Sequence, residues 1–307
     1  MPHRTQMRLI KRRLVGKEGS QRIRELRAIL DDLPDYRNGP FADIRKWVMA
    51  EIDETRSRSR VIQRDHLSVR REGAAQVALV GAPNGGKSSL LHALSDVRIR
   101  IGDYAFTTLR PVPALIRIGG VLVQLVEIPG LIAGAHEDRG GGRALLGVLR
   151  EADAVVYCQD VNAAPSLLAE VLGEVAAAGI ERPCLLCATK MDEAGPGAEN
   201  RLAEAFPDLR LVGVSILDGA SLDSLREAIW SLTGLVRVCL RHLGETDAEP
   251  IALPAGATVR EVAASIHRDL AEGLAGARIW GPSARFEGQR VGPDHVVEEG
   301  DAVEVLS

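Results

Sequence analysis

The stretch whose residue types and spacing promise chemistry most directly is Gly81-Ala82-Pro83-Asn84-Gly85-Gly86-Lys87-Ser88. It fits G-x-x-x-x-G-K-[ST], the phosphate-binding P-loop. The glycines let backbone N–H groups turn inward around phosphate oxygens without Cβ interference. A helix N-terminus adds partial positive charge, Lys87 is placed to reach the β- and γ-phosphates, and the Ser88 hydroxyl to ligate Mg²⁺. The flanks supply the context that the motif needs. Val77-Ala78-Leu79-Val80 reads as a buried strand, and Ser89-Leu90-Leu91-His92-Ala93-Leu94 has helical composition. Residues 81–89 are expected to hold a nucleoside triphosphate.

Four later stretches fall in an order shared by P-loop GTPases. Phe106-Thr107-Thr108-Leu109 lies past the first helix, where a loop supplies a threonine to Mg²⁺ and the γ-phosphate. Glu127-Ile128-Pro129-Gly130 follows a strand, at the place of the metal-side carboxylate and the γ-phosphate-sensing glycine. Thr189-Lys190-Met191-Asp192 ends another strand. A carboxylate there accepts from both N1–H and the exocyclic amine of guanine, which adenine cannot offer. Val214-Ser215-Ile216 ends the last strand and sets a backbone N–H near guanine O6. Each stretch alone is weak; together, behind a P-loop, they point to a guanine nucleotide.

These residues need a scaffold, and the rest of the chain reads as one. From 76 to about 234, strand-like and helix-like segments alternate, as in an α/β domain with a largely parallel sheet. Val121–Glu127, Ala154–Cys158, Cys184–Ala188 and Leu211–Val214 are its later strands, and their carboxyl ends should converge on the ligand. After Leu235, short strands at 251–253, 277–280 and 303–306 flank one helix, Val259–Leu270, capped by Thr258. That pattern suggests a small α+β module. Upstream, Ile23, Leu26, Ile29 and Leu30 recur at helical spacing after a short basic lead. A breaker at 33–40 precedes a second helix over about 41–64, with Ile44, Trp47, Val48 and Ile52 on one face. The two make a helical hairpin. The expected domains are therefore 1–73, 74–234 and 235–307.

Composition limits the alternatives. Hydrophobic residues make up 46% and charged residues 26% of the 307, as in a soluble globular protein. No apolar run approaches the roughly 20 residues of a membrane span. The polar, basic N-terminus does not read as a secretory signal. Four cysteines in apolar segments suit reduced thiols in a cytoplasmic protein. Cys184 and Cys187 mimic C-x-x-C, but within a strand they would face opposite ways, so packing is the expected role. Net charge is −4, divided between +7 over residues 1–73 and −11 over the remainder. A basic arm on an acidic body suggests nucleic acid or another polyanion, with a solvated helical face as the bland alternative.

Tyr104-Ala105-Phe106-Thr107-Thr108-Leu109, with Ile128-Pro129-Gly130-Leu131-Ile132-Ala133-Gly134-Ala135 and Gly140-Gly141-Gly142-Arg143, resembles the Obg-like GTPases. Residues 266–270, 280–284 and 289–295 look like the TGS domain of the developmentally regulated GTP-binding (DRG) family. The resemblance covers about 76–307. It implies a ubiquitin-like β-grasp fold for the C-terminal domain, slow GTP hydrolysis, and a link to RNA or ribosome through the basic arm and TGS domain. By the same analogy Thr108 is the Mg²⁺ ligand beside Ser88 and Glu127, with Thr107 as the alternative. Asn84 matches an asparagine associated with potassium-assisted hydrolysis, and Leu131 stands where Ras-like proteins carry a water-orienting glutamine. Three departures from the family stand out. Thr189 replaces an Asn, Glu127 replaces an Asp, and no room exists for an inserted subdomain before Cys184.

The reading is a Mg²⁺-dependent GTPase that cycles between GTP and GDP. Lys87, Thr108, Gly130 and Asn84 would serve catalysis. Residues 81–89, Phe106, Thr107, Thr108, Glu127, Gly130, Thr189, Lys190, Asp192, Ser215 and Ile216 would contact the nucleotide. The alternatives are a non-hydrolysing guanine-nucleotide sensor, and an ATP-dependent kinase that Thr189–Asp192 argues against. His136, His267 and His295 are expected to be non-catalytic. Oligomeric state is not legible.

Overall fold

The computed structural model describes residues 7, 10–14, 19–33, 40–65, 69–95, 110–129, 142–242, 245–246 and 249–306. It divides into two compact units, 1–68 and 69–307.

In the first unit, α1 (residues 10–14), α2 (Gly19–Asp32) and α3 (Pro40–Asp65) close over one apolar cluster. Leu26 and Ile29 meet Ile44, Val48 and Ile52 on faces that helical spacing picks out, and Leu33, from the segment read as a breaker, joins them. Arg22 reaches Glu51 at 2.5 Å, while Arg45 donates to the carbonyl of Leu33 at 3.1 Å. Those contacts fix α2 and α3 as antiparallel. The supposed basic lead also contributes, since α1 buries Ile10 and Leu14 in this cluster.

The second unit contains two sheets. The first has the order β2-β3-β1-β4-β5-β6, built from β1 (Gln76–Val80), β2 (Val112–Ile118), β3 (Val121–Glu127), β4 (Ala154–Asp160), β5 (Cys184–Thr189) and β6 (Leu211–Gly213). All neighbours are parallel except β2 with β3. β2 escaped the sequence reading because Pro111 and Pro113 punctuate it. An edge strand tolerates proline, since one row of its donors needs no partner.

Alternate residues of this sheet enter two cores. Leu79, Leu125, Val156 and Cys187 pack beneath α4 (Lys87–Leu94) and α8 (Gly219–Leu232). Val80, Val126, Val155 and Leu186 pack beneath α5 (Gly142–Glu151), α6 (Pro165–Ala177) and α7 (Ala198–Ala205). Burial on both faces explains why the parallel strands read as unbroken apolar runs. Cys184 and Cys187 do divide between the two cores, and Cys187 pairs in register with Cys158.

The second sheet runs β11-β10-β12-β7-β8, with β9 paired to the other stretch of β7. Its strands are β7 (Leu235–His242), β8 (Glu245–Thr246), β9 (Ile251–Pro254), β10 (Gly276–Trp280), β11 (Gln289–Val291) and β12 (Ala302–Leu306). The helix expected over 259–270 is two, α9 (Val259–Ile266) and α10 (Arg268–Glu272). His267 is extended between them, and its Nδ1 accepts from the Asp269 N–H. Thr258 does cap α9, in a reciprocal box with Glu261.

The two sheets meet around Arg237. Its guanidinium donates to both carboxylate oxygens of Glu227 on α8, at 3.0 and 2.8 Å, and to Glu299. It lies 5.0 Å from the Trp230 ring, whose Nε1 also donates to Glu299. Beside it, the β2–β3 turn at Gly119-Gly120 rests against Arg237 and Pro250.

Candidate nucleotide site

The phosphate loop leaves β1 at Gly81 and enters α4 at Lys87. Gly81 passes so close to β4 that a Cβ there would sit 2.1 Å from the Cys158 carbonyl oxygen. Gly86, the N-cap of α4, has φ 82° and abuts the Thr189 side chain. Asn84 also takes positive φ, at 63°, a region that Asn tolerates better than most residues. The loop is therefore wrapped tightly against β4 and β5.

Lys87 is 6% exposed. Its Nζ donates to the carbonyls of Gly81 and Ala82 at 2.9 and 2.8 Å, folding the ammonium into its own loop. Burial lowers its pKa below the ordinary lysine value, against the opposing pull of Cys158 and Glu127. A polyanion in the loop would reverse that cost. At the next residue, Ser88 Oγ donates to Glu127 Oε1 at 2.6 Å. This hydroxyl–carboxylate pair forms because Ile128 N–H continues the parallel ladder to Leu79, drawing the end of β3 against the start of α4. A divalent cation is suited to just such a pair of hard oxygens beside a phosphate cradle. Pro83 and Ser89 are exposed, and Ala82 is buried.

The residues expected to recognise the base cluster at the other strand ends. Thr189 is 5% exposed, and its hydroxyl lies 3.1 Å from Gly85 O and 3.2 Å from Gln159 O. Lys190 stands in the left-handed region at φ 59°, its Nζ 2.6 Å from Asp160 Oδ2. The hydrogen bond to Asp160 raises the Lys190 pKa. Burial pushes Asp160 upward, but bonds from Lys190 and the Asn162 N–H bring it below the usual carboxylate range. Asp192 Oδ1 accepts from Ser215 Oγ at 2.6 Å. Ile216 and Leu217 follow, 49% and 80% exposed.

Of the expected site residues, the structure brings residues 81–89, Glu127, Thr189, Lys190, Asp192, Ser215 and Ile216 to the carboxyl edge of the first sheet. Phe106, Thr107, Thr108, Gly130, Leu131 and His136 lie outside the described residues. His267 and His295 lie in the C-terminal segments around the second sheet, where His295 Nε2 is 3.1 Å from Ser283 Oγ. Sequence reasoning missed Asp160, Asn162 and Ser221. Ser221 Oγ donates to the Ser215 carbonyl at 3.0 Å and steadies the last loop. An Asp-x-Asn after an apolar strand was the signal available for the first two.

The chain is similar to known GTP-binding proteins. Residues 76–190 match the family described as 50S ribosome-binding GTPase, and residues 241–307 match the TGS domain. An uncharacterized GTP-binding protein of Methanocaldococcus jannaschii is 27% identical, with 83% of each chain covered. The developmentally-regulated GTP-binding protein 2 of Bos taurus is also 27% identical, over 81% of this chain and 87% of that one. A solved GTP binding protein from Pyrococcus horikoshii aligns at 15% identity over 76% of this chain and 99% of its own, with TM-score 0.47.

Proposed function

We propose that this chain, a P-loop GTPase domain joined to a TGS domain, binds GTP and hydrolyses it slowly to GDP and phosphate. The observation that carries the reading is one edge of one sheet. It gathers a phosphate loop with a buried lysine, the Ser88–Glu127 pair, and the Asp192–Ser215 pair. In this reading Lys87 leaves its loop carbonyls for the β- and γ-phosphates, and the loop amides hold the phosphate oxygens. Ser88, Glu127 and Thr108 would hold Mg²⁺, which supplies charge neutralisation between the phosphates when bound. Asp192 accepts from the guanine edge, with the Ser215–Ile216 backbone near O6. Asn84 would help hold a potassium ion beside the phosphates.

The working division is 1–73 as a basic arm, 74–234 as the nucleotide domain and 235–307 as a docking module. Nucleotide state would govern contact with RNA or ribosome, in the cytoplasm. The +7 charge of the arm and the description of the matched family support that partner. No helix among the described residues is long and apolar enough to cross a membrane.

A single-turnover assay with GTP, in potassium and in sodium at equal ionic strength, tests the reading. Magnesium-dependent release of phosphate, faster in potassium, is expected. Tight guanine-nucleotide binding without any phosphate release would make the protein a sensor instead.

A further inference from the structure

We infer that Asp160 and Asn162, at the end of β4, are positioning residues that set base specificity by bracing the loop Lys190–Gly195. The inference rests on the reading that Asp192 in this loop recognises guanine.

From the β6 side the loop is held by Met191 N–H on the Val214 carbonyl at 3.2 Å and by Ser215 Oγ on Asp192 Oδ1 at 2.6 Å. No residue of its 3-10 turn, Met191–Glu193, is buried. Lys190 enters it in the left-handed region, at φ 59°, which a non-glycine residue adopts only at a steric cost. Strained backbone of this kind persists where its surroundings over-determine it. The end of β4 does so. The Asp160 carboxylate pairs with Lys190 Nζ at 2.6 Å and accepts from the Asn162 N–H at 2.9 Å, which orients the next side chain. The Asn162 amide then grips the far end of the loop with both of its groups. Nδ2 donates to Glu193 O at 2.8 Å, and Oδ1 accepts from the Gly195 N–H at 2.9 Å. Backbone contact completes the grip, with Val161 N–H on Thr189 O at 3.1 Å.

Asp192 therefore sits between two fixed points, Lys190 and Glu193, both tied to β4. Neither Asp160 nor Asn162 needs to touch the base. They keep the Asp192 carboxylate at the distance where two hydrogen bonds to guanine form together. The hydrogen bond to the exocyclic amine is the one most sensitive to that placement.

The test uses the full chain, fluorescent guanosine diphosphate, and inosine diphosphate, which lacks the exocyclic amine. Asn162→Ala should weaken GDP binding about tenfold, the worth of one to two hydrogen bonds. Inosine diphosphate should weaken less, because it has no exocyclic amine and so no second hydrogen bond to lose when Asp192 shifts, and the guanosine-to-inosine preference shrinks. Asn162→Asp keeps the acceptor for Gly195 and should fall between parent and Ala variant. Asp160→Asn, of the same size, should narrow the preference too and covers the case of an Ala variant that does not fold. A parent that discriminates, with folded variants that discriminate equally, would overturn the brace alone. A parent with no preference for guanosine would overturn both the brace and the proposed base recognition.

Discussion

The Thr189 hydroxyl lies 3.1 Å from the carbonyl oxygen of Gly85, tying the end of β5 to the phosphate loop across β4. The end of β5 and the loop between β1 and α4 thus share a side-chain hydrogen bond. Thr189→Val keeps the shape and removes the donor inside a buried site. It should cost about 1–3 kcal/mol of stability, read as a lower urea midpoint at unchanged slope, and should weaken GDP binding as the loop loosens. A midpoint equal to the parent's would mean that this bond contributes nothing.

Lys87 makes a pH-dependent prediction. Its proton affinity is depressed in the folded state, so the unfolded chain binds more protons in the alkaline range. Stability should therefore rise as pH climbs from the depressed folded value toward about 10.5. Lys87→Met should abolish that rise in a nucleotide-free thermal melt, without lowering the melting temperature near neutrality. It should also weaken nucleotide binding about 10- to 100-fold, since a charged hydrogen bond to phosphate is lost.

For the Ser88–Glu127 pair, magnesium is the variable. Glu127→Ala should flatten the dependence of GTP affinity on Mg²⁺ concentration. Glu127→Asp withdraws the carboxylate by about 1.5 Å. It should break the metal-free bond to Ser88 Oγ yet leave turnover similar or faster. A Mg²⁺ dependence unchanged in Glu127→Ala would remove Glu127 from the metal's surroundings.

Exchanging Asp192 for Asn should favour xanthosine over guanosine nucleotides, because the xanthine C2 carbonyl accepts where an amide donates. Ser215 Oγ can still donate to the amide oxygen, so the side chain stays placed. Competition titrations of the two diphosphates measure the swap. Unaltered GDP affinity would place Asp192 away from the base.

Glu227 makes the acid-side prediction. The Arg237 hydrogen bond, helped by its charge and opposed by burial, lowers the Glu227 pKa. A depressed carboxylate contributes stability above its unfolded value, about 4.5, that is lost as pH falls through the folded value. Acid unfolding of Glu227→Gln should begin from a less stable state at pH 7 and show a smaller loss below pH 4.5. Parallel acid profiles for parent and variant would contradict this.

What the sequence discloses depends on how local the chemistry is. Residues 81–88 are legible because a phosphate cradle needs contiguous backbone, and Val77–Val80 is legible because a strand buried on both faces must be apolar throughout. Asp192 and Ser215 could be placed by strand ends. Asp160 and Asn162 could not, because their partners lie about thirty residues away and only the β4–β5 pairing brings them together. The break at His267 was hidden for another reason. Helical periodicity runs through Val259–Leu270, and nothing in it signals an extended histidine capping a second helix. Cys184 and Cys187 read as packing residues and do pack in the two cores, although the shared register of Cys187 with Cys158 shows only once β4 and β5 are aligned.

Arg237 belongs by sequence to the second sheet, yet it holds Glu227 and lies over Trp230 of α8 while binding Glu299 of its own domain. Grafting residues 235–306 onto another nucleotide domain would strand the guanidinium opposite a foreign helix and leave Trp230 uncovered. The C-terminal domain is thus not a portable cassette. Lineages that exchange it should change α8 and the β2–β3 turn in step. The record of that joint inheritance should be covariation among positions 119, 227, 230, 237 and 299.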